Sequence, residues 1–293
     1  VWTVGVDMAG LAHGGHGPVF IMTTMGVSAL FVGALIDPIL GLVPLFGISC
    51  LMFAAFLVNF WRDPDRPIPR DEGVLVSPAD GHIMFVRRER ATGRRPSNAE
   101  REQGPVESDS LTGEWYPRPL VEPLTFATEQ RYAAVEEGEE QASDVIRVAV
   151  FMSPLDVHVN RAPGKGTLER LEHRTGKGLK RGPFAFAFKK ESQYNERVRS
   201  VYRLEDDTMI EMTQISGALA RTVIPWVGEG APVRRGQRIG MIRLGSRVDV
   251  RVPANRYACT LISAEAKDPS QPKGAFVQAG STVMFRIKGD EEE

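Results

Sequence analysis

Gly240-Met241-Ile242-Arg243-Leu244-Gly245-Ser246-Arg247-Val248-Asp249-Val250 sets two β-prone runs on either side of a Gly-Ser pair. Taken alone, such a pair is a hairpin turn, because glycine and serine suit the tight backbone between two strands. Outward from it the pattern repeats. Thr208 to Ile215, Thr222 to Val227, Ile239 to Leu244, Val248 to Val252, Ala258 to Ile262 and Thr282 to Ile287 are short β-prone runs separated by Gly and Pro turns. Towards the N-terminus, Val145 to Met152 is another, while Val74-Leu75-Val76 and His82-Ile83-Met84-Phe85-Val86 flank the turn Ser77-Pro78-Ala79-Asp80-Gly81. This spacing predicts a mainly β, compact antiparallel domain in an α+β chain. Helical signals in this part are few: Leu168 to Leu171 and Leu219-Ala220-Arg221 are too short to decide anything.

Two stretches break the pattern. From about 88 to 143 the chain is dense in charge, Pro and Gly, with Arg94-Arg95-Pro96 and Glu136-Glu137-Gly138-Glu139-Glu140, which predicts a long mobile insertion. From Met8 to Trp61 the only charged residue is Asp37, and it divides two apolar runs at about 18–36 and 39–60. Each approaches the roughly 20 residues that cross a bilayer. A secretory signal fits poorly, since there is no basic segment ahead of the first run and a second run follows. A buried helical hairpin in a soluble protein would need partner surface that the polar remainder does not obviously supply. Phe60-Trp61-Arg62-Asp63-Pro64-Asp65-Arg66 follows directly, and rings at the headgroup level with arginines beyond them suit a membrane boundary. Residues 1–36 contain no Lys or Arg, so the positive-inside bias places the domain at 62–293 on the cytoplasmic side of the cell membrane.

Composition narrows the classes further. The 293 residues include 36 Lys+Arg and 37 Asp+Glu, a formal net charge of −1. Setting aside Asp7 and Asp37, residues 62–293 hold 36 basic and 35 acidic side chains, so no global basic field exists for broad nucleic-acid binding. Cys50 and Cys259 are the only cysteines and match no metal spacing, which argues against a disulfide framework or a zinc site. Among polar clusters, Met152-Ser153-Pro154-Leu155-Asp156-Val157-His158-Val159-Asn160-Arg161-Ala162-Pro163 interrupts the end of a strand, and His158 could carry a proton near neutral pH.

The hairpin, Phe60-Trp61-Arg62-Asp63-Pro64, Ser77 to Gly81, Ser153 to Pro163, Asn195-Glu196-Arg197, Gln214-Ile215-Ser216-Gly217 and Arg235 to Val248 occur in one order, and together the chain resembles the phosphatidylserine decarboxylase proenzymes, in their shorter bacterial form. The likeness covers nearly everything except 88–143. It implies a β fold similar to lipoyl-carrier-like sandwiches and self-cleavage between Gly245 and Ser246. The Ser246 hydroxyl attacks the preceding carbonyl, converting amide to ester; β-elimination and hydrolysis by water with loss of ammonia then leave a pyruvoyl group at position 246. That group forms a Schiff base with the amine of phosphatidylserine and accepts the electrons released with carbon dioxide, giving phosphatidylethanolamine. Residues 1–245 and 246–293 become a 245-residue membrane-bearing chain and a 48-residue partner whose strands stay interleaved.

Carried over residue by residue, the resemblance gives Asp80 and His158 catalytic roles beside Ser246, with His158 serving self-cleavage, decarboxylation or both. Arg161 stands where many members have a second histidine, so His82, two residues after Asp80, is the alternative base. Arg161 and Arg197 are candidates for the substrate phosphate and carboxylate. The expected partners are the bilayer and its phosphatidylserine, with homo-oligomerisation open and no nucleic acid or metal. The competing readings are a non-catalytic, membrane-tethered lipoyl-like adaptor and a serine hydrolase, although the Gly-x-Ser-x-Gly elbow of the latter is missing around Ser246.

Overall fold

The computed structural model describes residues 10–36, 41–91, 143–174, 195–217, 222–243, 245–261 and 274–288. It divides into two units: residues up to 65 with Pro154–His158, and Arg66–Ser153 with the chain from Val159 on.

The first unit is a helical hairpin. The uncharged runs form α1 (His16–Ile36) and α2 (Leu42–Trp61), with Pro18 and Pro44 confined to first turns, where a missing N–H costs nothing. At about 1.5 Å per residue, 21 and 20 residues each span roughly the 30 Å of a bilayer's hydrocarbon core. Phe20, Leu35, Ile36, Leu42 and Met52 are all more than two-thirds exposed, an outward surface suited to lipid. Between the helices, small residues permit close approach: a Cβ on Gly26 would lie 2.7 Å from Leu51 and 3.0 Å from the Gly47 carbonyl, and one on Gly47 2.9 Å from Leu30. Gly47→Leu is therefore expected to destabilise the hairpin by about 1–3 kcal/mol. Gly17→Leu, where a Cβ meets nothing within 4 Å, should not. Loss of helical signal on titrating mixed micelles with denaturing detergent measures both. The start of α1 lies beside the end of α2, because the Ala12 N–H donates to the Trp61 carbonyl at 2.7 Å and the Asp63 N–H to the Gly10 carbonyl at 2.8 Å.

The second unit is β1 (Val74–Val76), β2 (Gly81–Ala91), β3 (Ser143–Met152), β4 (Val159–Arg161), β5 (Gly166–Arg174), β6 (Arg197–Leu204), β7 (Met209–Ile215), β8 (Val223–Pro225), β9 (Pro232–Val233), β10 (Arg238–Ile242), β11 (Ser246–Pro253), β12 (Tyr257–Cys259), β13 (Phe276–Val277) and β14 (Val283–Ile287). Among the described residues every strand pair is antiparallel. The eight-stranded sheet runs β13-β2-β3-β11-β7-β6-β5-β9, and two three-stranded sheets run β1-β14-β12 and β4-β10-β8. One face of the large sheet, including Val148, Val150, Met152, Val248, Val250, Val252, Ile210 and Met212, shares a continuous apolar core with Phe285 and Met284 of one small sheet and Ile239 and Ile242 of the other. Each such fully buried side chain contributes about 1.5–3 kcal/mol.

Several expectations are corrected. Residues 88–91 continue β2 and 143 opens β3, so the strand pair extends into the expected insertion; residues 92–142 lie outside the described residues. Leu168 to Leu171, undecided in the sequence, is part of β5, and β6 is a strand absent from the reading of the sequence. Leu219-Ala220-Arg221 lies outside the described residues. The strands flanking Ser77–Gly81 do not pair with each other: the turn carries the chain from β1, in a small sheet, to β2, in the large one.

The opposite face of the large sheet is charged and also buried. Asp249 accepts from Arg147 Nε (2.9 Å) and from Arg247 Nε and Nη2 (2.5 and 2.6 Å), while Glu211 pairs with Arg199 (2.6 Å) and Arg251 (2.8 Å). Each of these side chains is at most 5 % exposed. Arg147 and Arg247 also approach the Phe85 ring at 5.6 and 5.0 Å, within cation–π range. Burial alone would raise the Asp249 carboxyl, but the Arg247 and Arg147 guanidiniums outweigh it and hold the group below the usual carboxylate range.

Candidate active site

Ser246 is the first residue of β11 and is fully buried. Gly245 before it has φ +66°, in the left-handed region that glycine adopts without steric cost, and a Cβ there would meet nothing within 4 Å. The requirement at 245 is thus conformational, not spatial. The turn takes the chain from β10 in a small sheet to β11 in the large one, placing the Gly-Ser peptide where two sheets meet.

Register decides which side chains accompany Ser246. His82, Phe151, Arg247, Ile215 and Arg197 form one row across β2, β3, β11, β7 and β6, and Ser246 pairs with Met152 in the next row. Adjacent rows face opposite sides of a sheet. His82 and Arg197 therefore point away from the face that carries Ser246. His82 Nδ1 lies 3.0 Å from the Gly274 carbonyl and its ring packs edge-on to Phe276, while Arg197 Nη1 donates to the Asn195 carbonyl at 2.9 Å.

On the serine's own face, its hydroxyl donates to Met152 Sδ at 3.2 Å, a weak acceptor. Asn160 on β4 approaches the same sulfur at 3.7 Å and accepts from Gln214 Nε2 at 2.8 Å. All of these side chains are buried. Ser216, one residue beyond β7, would continue the register opposite Ser246; its buried hydroxyl has no hydrogen-bond partner among the described residues. The Ala-Asp-Gly turn joins this cluster through the Pro78 carbonyl, which accepts from the Arg161 N–H at 2.9 Å and from Asn160 Nδ2 at 3.5 Å.

Asp80 is buried and takes both terminal nitrogens of Arg66, at 2.5 and 2.7 Å, together with the Ala279 N–H at 2.8 Å. Gly81 after it must be glycine, since its φ is +145° and a Cβ would lie 2.0 Å from the Phe151 carbonyl oxygen. Arg66, which the sequence suggested for lipid headgroups, is instead the ion-pair partner of Asp80. Arg161 donates to the Gly236 carbonyl at 3.1 Å. Cys259 is an unpromising nucleophile: burial pushes its thiol up.

His158 belongs to the helical unit, within the segment Pro154–His158. Its ring lies 4.5 Å from that of Phe60, centroid to centroid, and Nδ1 lies 2.8 Å from the Asp156 carbonyl oxygen. A carbonyl can only accept, so Nδ1 carries the proton and the lone pair of the neutral ring sits on Nε2. In the same unit Arg62 Nη2 donates to the Leu155 carbonyl at 2.7 Å.

A sequence profile of the phosphatidylserine decarboxylase family matches residues 53–285, most of the chain and all of β1 to β13. The chain belongs to that family. A Streptomyces griseus phosphatidylserine decarboxylase proenzyme is 52 % identical over 201 residues, covering 68 % of this chain and 65 % of the relative. One from Erythrobacter litoralis is 36 % identical over 231 residues, 79 % of this chain and 73 % of its own. A Methanopyrus kandleri relative, named as an archaetidylserine decarboxylase proenzyme, is 34 % identical over 239 residues, 82 % and 86 % of the two chains. The family-defining activity is that of a lyase in phospholipid synthesis, and two helices long and apolar enough to cross a membrane accompany it here.

Asn160, Gln214 and Ser216 lay within the motifs quoted from the sequence, but as signposts of resemblance. What singles them out is proximity across three strands, which no local pattern encodes.

Proposed function

We propose that this chain is a membrane-anchored phosphatidylserine decarboxylase that cuts itself between Gly245 and Ser246 and carries a pyruvoyl group at position 246. The observation that carries the reading is the buried Ser246 hydroxyl, placed directly after a left-handed glycine and, among the described residues, bonded only to a thioether. A serine so held keeps its lone pairs for the neighbouring carbonyl. Gly245 leaves the backbone free to bend as the carbonyl becomes tetrahedral. The surroundings fit a small keto group, with an apolar floor from the core face and the amides of Asn160 and Gln214 at its edge. Once formed, that group supplies an electron sink for loss of carbon dioxide.

His158 carries the proton in self-cleavage, in decarboxylation or in both, with Nε2 as the accepting atom. Asp80, through Arg66 and the Ala279 N–H, keeps the Ser77–Gly81 turn fixed. Of the two arginines suggested for the headgroup, Arg161 is retained; Arg197 faces the charged side of the sheet, and His82 is set aside for the same reason. The shared serine-phosphate headgroup is the recognised part of the substrate, since relatives carry names with either phosphatidyl or archaetidyl lipids. Arg62 and Arg70, close after α2, support a cytoplasmic β unit under the positive-inside bias.

Mass spectrometry of the purified full chain tests this. Two polypeptides of 245 and 48 residues are expected, the shorter blocked at its N-terminus and lighter than a serine-initiated chain by the loss of ammonia. One intact chain with Ser246 unchanged in active material would overturn the mechanism; an intact and inactive one would favour the tethered, lipoyl-like adaptor.

A further inference from the structure

The segment that carries His158 is gripped by the end of the second helix. Arg62 Nη2 donates to the Leu155 carbonyl at 2.7 Å, and Asn59 Nδ2 reaches the same oxygen at 3.5 Å. Arg62 is itself aimed by Asn59, whose backbone carbonyl accepts from Nη1 at 2.9 Å and whose side-chain oxygen accepts from it too. The Phe60 ring, 3 % exposed, tilts against the fully buried His158 ring at 4.5 Å and is backed by Trp61, edge-on at 5.7 Å, and Phe56 at 6.4 Å. The Asp156 carbonyl then fixes the tautomer through Nδ1. These contacts explain why Pro154–His158 groups with the helices although it lies nearly a hundred residues away in the chain. The family profile likewise starts at residue 53, so it includes the last part of α2, with Asn59 and Phe60, and Arg62 just after it, and leaves out α1.

We propose that the end of the membrane hairpin is a positioning device for His158, so that self-cleavage depends on Asn59, Phe60 and Arg62 and proceeds only in chains whose hairpin has folded. The inference rests on the reading of His158 as the proton carrier. An anchor alone would need only the apolar outer surfaces of the helices. The inward-facing end of α2 instead meets a ring whose orientation matters to chemistry, and misplacement by about 1 Å can slow a positioned reaction about 100-fold.

Self-cleavage requires no lipid substrate, so it separates positioning from substrate delivery. The full chain would be synthesised into phosphatidylcholine vesicles and the conversion of 293-residue precursor to two fragments followed on denaturing gels. Phe60→Ala and Arg62→Met are expected to slow cleavage by between about 10- and 100-fold. Phe60→Tyr, which keeps the ring, should restore a rate within about threefold of wild type. Phe20→Ala, on the outward face of α1 at 71 % exposure, should cleave normally. Thermal unfolding of each precursor guards against collapse of the fold; should Phe60→Ala fail to fold, Arg62→Met and Asn59→Ala carry the test. Wild-type cleavage in Phe60→Ala or in Arg62→Met, with His158→Ala uncut, would overturn the positioning role while leaving His158 in place. Wild-type cleavage in His158→Ala would instead remove the histidine from self-cleavage, and this inference with it.

Discussion

Ser246→Ala is expected to accumulate as one 293-residue polypeptide that releases no carbon dioxide from phosphatidylserine. The substitution removes a hydroxyl whose only described hydrogen bond goes to a thioether, so the fold should lose little: about 0.5–1.5 kcal/mol at most for a net hydrogen bond. β11 keeps its ladders to β3 and β7, and a methyl group suits the apolar face that it joins. Chemistry, by contrast, loses both the nucleophile and the atoms from which the keto group is made. The whole rate enhancement should vanish, on the order of 10⁶-fold or more, because no other side chain can stand in as an electron sink. Release of carbon dioxide from labelled substrate, read beside a gel of the same sample, measures both. A variant that stays uncut yet decarboxylates at the wild-type rate would contradict the proposed mechanism.

The second large effect concerns stability. Asp249→Asn should destabilise the uncut precursor by about 3–5 kcal/mol, because it leaves Arg147 and Arg247 buried without their shared counter-charge. Denaturant titration on the Ser246→Ala background follows a single polypeptide. Asp207→Asn is the control: its carboxylate is 87 % exposed and 3.8 Å from Arg203, and its loss should cost no more than about 1 kcal/mol. The sign of the pH dependence follows from the Asp249 carboxyl, held low by its arginines in the folded chain against burial acting the other way. Its contribution is complete above the unfolded carboxylate value of about 3.9 and is lost as pH falls through the lower folded value. Asp249→Asn should therefore remove part of the acid sensitivity of the parent chain. Equal stability of the two precursors at neutral pH would show that the arginines find other counter-charges.

Period-two alternation made β3, β7 and β11 legible, since Val148, Val150, Val248 and Val250 recur at every second position. The same rule hid β5 and β6. In Arg197-Val198-Arg199-Ser200-Val201-Tyr202-Arg203-Leu204 the partners of the apolar residues are arginines, which suggest a solvated face, whereas Arg197 and Arg199 are buried on the charged side of the sheet. Burial of these cations depends on acids such as Glu211, supplied by another strand, and local sequence cannot announce such a pairing. The two apolar helices were legible to within a few residues because hydropathy is a property of composition alone.

At the site, the Gly245-Ser246 turn and the Asp80 turn were visible as punctuation, but the directions of their side chains were not. His82 and Arg197 looked eligible by proximity in sequence to Asp80 and by charge. Their shared row, facing away from Ser246, follows from strand register across five strands. Arg66 was attributed to the bilayer boundary because it follows aromatic residues, yet it meets Asp80 fourteen positions on. The attachment of Pro154–His158 to α2 is a contact of still longer range, and it joins two segments that each looked self-sufficient.

β11 lies between β3 and β7 in the middle of an eight-stranded sheet, and its first residue follows the expected scissile bond. A molecule cut there holds its shorter piece by ladders on both flanks, with β14 paired to β1 and β13 to β2 as further fastenings. Melting would let that piece diffuse away, and recovery would become a second-order encounter that slows with dilution. On the proposed cleavage, maturation would turn a chain able to renature by itself into an assembly that, once apart, reforms only by re-encounter of its two pieces.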